Sequence, residues 1–139
     1  MISVLYEDNH IIAVNKKPSE IVQADKTGDA PLSDSIKTYI KEKYNKPGEV
    51  FLGTAHRIDR PVSGVVLFAR TSKALARLNE MFRNKEIQKT YWAVVKNKPE
   101  KEEGHLIHYL KKNEAKNKST ASEKEQPGSL RSELTYKLL

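Results

Sequence analysis

His56-Arg57-Ile58-Asp59-Arg60-Pro61-Val62-Ser63-Gly64 runs directly into Val65-Val66-Leu67-Phe68-Ala69. The second part is five apolar residues in a row, a pattern that suits a strand covered on both faces, and Pro61 through Gly64 reads as the turn leading into it. The first part is polar, squeezed between Val50-Phe51-Leu52 and the strand, and holds Asp59 between Arg57 and Arg60. A carboxylate close to guanidinium groups has its charged form favoured, which keeps it available as a nucleophile or base at neutral pH. The same three residues also read as an ordinary surface ion pair, because structural charge networks perturb carboxylates too. Arginines beside a carboxylate suit a polyanionic substrate, since a planar guanidinium binds phosphate bidentately or stacks on an exposed base.

Working outward toward the carboxyl terminus, Ser72 is placed to cap a helix. Ala74, Leu75, Leu78, Met81 and Phe82 mark its inner face, while Lys73, Arg77, Asn79, Glu80 and Arg83 face water. Tyr91-Trp92-Ala93-Val94-Val95 reads as a strand and Leu106 to Leu110 as another. Tyr91 has two open readings, a core aromatic or a platform for a base. From Lys111 to Ser129 large apolar residues are scarce, so 111–129 is expected to be a mobile polar loop. Leu134 to Leu139 looks like a strand, which stops the sequence inside regular structure. Toward the amino terminus, Ile11-Ile12-Ala13-Val14 predicts a buried strand ended by the turn at Lys16-Lys17-Pro18, and the opening reads as strand, turn, strand. Leu32, Ile36, Tyr39, Ile40 and Lys43 recur at helical spacing between Pro31 and Tyr44, with an end near Pro47-Gly48. The order of elements gives an α+β fold rather than strict β-α alternation.

The chain has 139 residues, 37% of them hydrophobic, which fits one domain over 1–139 with a single modest core. With 31% charged residues and no apolar run near the roughly 20 residues that span a bilayer, no membrane anchor is expected. Acidic Glu7 and Asp8 stand where a secretory signal would be basic and then apolar, so the expected location is the cytoplasm. The absence of cysteine excludes disulfides, thiolate metal sites and a cysteine nucleophile. Four histidines, His10, His56, His105 and His108, offer no metal spacing; strand alternation puts His105 and His108 on opposite faces. The net charge of +7 and a pI near 9.5 raise the prospect of a polyanionic partner.

Read together, several stretches resemble the RluA-type RNA pseudouridine synthase family. His56 to Gly64 is similar to that family's His-Arg-Leu-Asp-x-x-Thr/Ser-Ser-Gly motif. Leu5-Tyr6-Glu7-Asp8 and Ile11 to Pro18 resemble its opening strand and Lys-Pro turn. Phe68-Ala69-Arg70 resembles the strand after the motif, and Lys89 to Val95 its Lys-x-Tyr-x-Ala stretch.

The resemblance implies a mixed, largely antiparallel sheet with flanking helices and an isomerase acting on a uridine of structured rRNA or tRNA. It implies that Asp59 is the essential aspartate, attacking either ribose C1′ or the uracil ring. It implies that Tyr91 stacks on the target base and that Arg57 helps hold the flipped-out nucleotide; Arg60 joins them as a candidate RNA contact. Flipping is required for a target inside a stem, where the glycosidic bond is shielded. The isomerisation consumes no redox equivalent or phosphate energy, so no cofactor and no metal are expected.

Two departures qualify the match. Ser19-Glu20 stand where the family usually has a small residue and Gly. The family's later Gly-Arg-x-His-Gln-Ile/Leu-Arg stretch and the basic partner of its aspartate have no counterpart before Leu139, so the domain is expected to be cut short. No S4-type domain is expected. The alternative reading is a non-catalytic RNA-binding fragment of such an enzyme, and the sequence leaves the oligomeric state open.

Overall fold

In the computed structural model, which describes residues 2–139, the chain opens as a hairpin of β1 (Val4–Glu7) and β2 (Ile11–Lys16). Asp8 closes the turn between them, its Oδ1 accepting the amides of His10 and Ile11 at 2.7 Å each. Helix α1 (Leu32–Lys43) follows. It ends short of Pro47-Gly48 because Asn45 turns into the left-handed region (φ 47°), where its amide reaches Glu42 O and that of Lys46 reaches Lys41 O. The two-residue β3 (Gly53–Thr54) and β4 (Gly64–Ala69) complete a four-stranded antiparallel sheet of order β1-β2-β4-β3.

Both sheet faces take a helix. Ile12 and Val14 of β2 and Val66 and Phe68 of β4 pack with Leu32, Ile36 and Ile40 of α1 in the main core. Ala69 belongs to a second cluster with Ala74 and Leu78 of α2 (Ser72–Arg83), against which Ile11 packs. The cap of α2 is Thr71 rather than Ser72: its Oγ1 accepts the Ala74 amide at 3.1 Å, so the helix begins at the expected cap. The expected double coverage of β4 fails at Val65, which is 56% exposed, because α2 covers only the far end of that face.

The chain, read from its composition as one domain over 1–139, divides between Thr90 and Tyr91 into two compact units. The second holds a three-stranded antiparallel sheet of order β6-β5-β7, from β5 (Glu103–Asn113), β6 (Lys118–Ser122) and β7 (Leu130–Lys137). Two expectations change here. Tyr91 to Val95 forms no strand despite its β-branched and aromatic residues, because no neighbour supplies the ladder; Trp92 is 87% exposed. The expected polar loop 111–129 begins instead as a hairpin, with Lys111 facing Thr120 and Asn113 facing Lys118. Ladder bonds belong to the main chain, so polar residues sustain them where both faces meet water. No helix among the described residues is long and apolar enough to cross a membrane.

Candidate active site

Residues Ala55 to Ser63 join β3 to β4 and carry Asp59. Their side chains alternate between mooring and exposure. His56 is partly buried, its Nε2 accepting the Leu67 amide of β4 at 2.9 Å and its ring lying 4.7 Å from that of Phe82. This bond lies just past Gly53↔Ala69 and Thr54↔Phe68, where the pairing of β3 with β4 ends. Burial first, and Lys89 second, hold the imidazole below its ordinary pKa, so it stays neutral and can keep accepting at Nε2. Ile58 packs against the main core, while Arg57, Asp59 and Arg60 are exposed.

Beneath the loop lies Lys16, fully buried. It continues the inward row of Ile12 and Val14, but among the described residues its ammonium bonds to no carboxylate. Its Nζ donates to three main-chain carbonyls: Lys17 O at 3.0 Å, Arg60 O at 3.0 Å and Val62 O at 2.5 Å. All three ammonium protons are thereby used. Burial lowers the Lys16 pKa, and the charges of Glu20 and Asp59 offset part of that. Two more bonds fix the turn: the Val62 amide reaches Asp59 O at 3.0 Å, and the Ser19 amide reaches Arg60 O at 2.8 Å. Ser19 adopts φ 73° to do so, at the position where the sequence departs from the family pattern.

The site residues read from sequence are placed unequally. Asp59 stands exposed on this braced turn, and among the described residues its carboxylate makes no hydrogen bond or ion pair. The expected grip of Arg57 and Arg60 on Asp59 is not formed. Arg57 makes no ion pair among the described residues, and Arg60 reaches away to Asp29, Nη1 to Oδ2 2.7 Å. The charge of Asp59 acts instead on the buried Lys16, where it offsets part of the desolvation. Tyr91 is 62% exposed and opens the second unit, which rules out the core-aromatic reading. Sequence reading assigned no role to Lys16 or His56. A lysine in phase with Ile12 and Val14, just before a proline turn, was the available signal for the first.

A surface carboxylate on a rigid turn, with a free arginine two residues before it, can present an oxygen nucleophile to a bound electrophile. The fold matches a solved structure titled Human RNA Pseudouridylate Synthase Domain Containing 4 with a TM-score of 0.77 over 97% of this chain and 52% of that one, at 19% identity. The RNA pseudouridylate synthase family model matches residues 10–139, and the chain belongs to that family. It is 38% identical over 93 residues to ribosomal large subunit pseudouridine synthase C of Escherichia coli K12, covering 67% of this chain and 27% of that protein. It is 34% identical over 114 residues to tRNA pseudouridine synthase C of Vibrio vulnificus, covering 80% of this chain and 43% of that protein. It is 33% identical over 96 residues to tRNA pseudouridine synthase C of Pectobacterium carotovorum, covering 69% of this chain and 24% of that protein. The chain thus spans between about a quarter and two fifths of these curated relatives.

Proposed function

We propose that this chain isomerises a uridine of structured ribosomal or transfer RNA to pseudouridine, with Asp59 as the attacking carboxylate. The observation that carries the reading is the turn itself. Asp59 is exposed, without a hydrogen bond or ion pair among the described residues, and held from beneath by the Lys16 tripod within a sequence the family matches from residue 10 onward. An unpaired carboxylate on a loop that cannot drift is what a nucleophile at a developing oxocarbenium-like centre requires. The C1′–N1 bond breaks, the retained uracil turns, and C1′ joins C5. The C5 proton is released to solvent and N1 takes one up, so nothing is oxidised or reduced. Arg57 holds the flipped nucleotide and Tyr91 offers its exposed ring to the target base. The names of the relatives, which include both tRNA and ribosomal enzymes, support RNA as the substrate class.

The test uses structured RNA tritiated at uridine C5. The parent chain should release label to water and Asp59→Asn should not. If neither releases label while both bind RNA with a steep salt dependence, the chain is an RNA-binding module and the catalytic reading falls.

A further inference from the structure

Arg60 combines a fixed main chain with a side chain that is lightly held. Its carbonyl is bound by the Lys16 ammonium and by the Ser19 amide, and Pro61 follows it. Among the described residues its guanidinium makes one ion pair, Nη1 to Asp29 Oδ2 at 2.7 Å, with the two side chains 46% and 52% exposed. The other guanidinium nitrogens make no hydrogen bond among the described residues. Asp29 sits on an exposed segment, residues 23–30, whose ends are tied together by Leu32 N to Ile21 O at 2.8 Å and Ser33 N to Val22 O at 3.2 Å. Gly28, at φ 78°, precedes Asp29 directly. Asp25, on the same segment, has its carboxyl held below its ordinary pKa by hydrogen bonds from the Thr27 hydroxyl and amide first, and by the charge of Arg60 after them. Two carboxylates of one loop therefore act on the arginine next to Asp59.

We propose that Asp29 is a latch on Arg60: its carboxylate holds the guanidinium in the free protein and yields it to an incoming phosphate group. On the reading above, on which this inference rests, that phosphate belongs to the RNA backbone beside the target uridine. A single-point, half-exposed ion pair is weak, whereas a phosphate takes two guanidinium protons at once. Asp29 then lowers the affinity of the site for any anion, so that only RNA supported by further contacts displaces the loop. The latch makes Asp29 a residue that sets the affinity of the site for anions without contact to the reacting atoms.

A double-mutant cycle tests this with two probes, a uridine-containing RNA stem-loop and inorganic tripolyphosphate, binding at low salt to the parent, Asp29→Asn, Arg60→Ala and the double variant. Asp29→Asn should bind both probes about two- to fivefold more tightly, the range of an exposed ion pair, and in the Arg60→Ala background the gain should vanish. The salt slope for RNA should fall by about 1 in Arg60→Ala, as one phosphate contact is lost, and stay near the parent value in Asp29→Asn. Unchanged or weaker binding by Asp29→Asn overturns the latch, because Asp29 would then present Arg60 rather than withhold it. A gain that survives without Arg60 also overturns it, as a general effect of charge. An Arg60-dependent gain for tripolyphosphate, with RNA bound by no variant, upholds the latch and removes the RNA reading instead.

Discussion

Replacing Lys16 by methionine keeps the length of the stem and its place beside Val14, and removes the ammonium. The structure sets the cost. Arg60 O retains the Ser19 amide at 2.8 Å and Lys17 O retains the Glu20 amide at 3.4 Å, but among the described residues Val62 O is left with no donor. Hydrogen bonds to a charged donor contribute about 1.5–3 kcal/mol each. Against this, Lys16→Met escapes the desolvation that lowers the Lys16 pKa. The balance is a loss of about 2–4 kcal/mol, or roughly 10 °C or more in melting temperature. Urea unfolding followed by helical circular dichroism reports on the right unit, because α1 and α2 both lie in it. Exposed Lys17→Met is the control and should shift stability by about 0.5 kcal/mol or less. Amide exchange at Ser19 and Val62 should accelerate more than in the sheet core, since both amides bond within the braced turn. Stability of Lys16→Met within about 0.5 kcal/mol of the parent, with unchanged exchange at those amides, would refute the tripod as the element that holds Asp59 in place.

Two other outcomes follow from the same loop. Ser19→Gly should stabilise the protein by about 0.5–1 kcal/mol, because Ser19 sits at φ 73° where a side chain is penalised; a lower urea midpoint would contradict this. His56 has its folded pKa below the ordinary 6.5, so as pH falls the unfolded chain takes up the proton first. Its contribution to stability is therefore present above about 6.5 and lost as pH falls through the lower folded value. His56→Gln, which keeps an acceptor for Leu67 N, should flatten the fall in urea midpoint between about pH 7 and 5, and an unchanged slope would rule out His56 as its source.

Much of the first unit was legible because its patterns are strong and local. The spacing of Leu32, Ile36 and Ile40 implied α1, and all three are buried. The run from Val65 to Ala69 implied β4, yet not that Val65 would remain exposed, since coverage depends on where α2 lands. Tyr91 to Val95 shows the limit of propensity. Those residues favour a strand, but a strand exists only where a partner ladder does, and none forms there. The hairpin within 111–129 is the converse case, where pairing prevailed over a polar composition.

The loop that carries Asp59 divides in the same way. The residues from His56 to Gly64 determined the family and marked Asp59, because so ordered a motif is written in consecutive positions. The partners of those residues were decided only by tertiary structure. Asp59 and its neighbouring arginines suggested one local ion cluster, but Arg60 turns to Asp29, 31 positions earlier in chain order, and the carboxylate stands free. Lys16, which composition counts among 25 basic residues, is the one that folds under the loop. The reason is geometric. Side-chain alternation along β2 and the pairing of Lys16 with Gly64 bring an ammonium beneath carbonyls 44 and 46 residues away, and no local pattern of sequence encodes that distance.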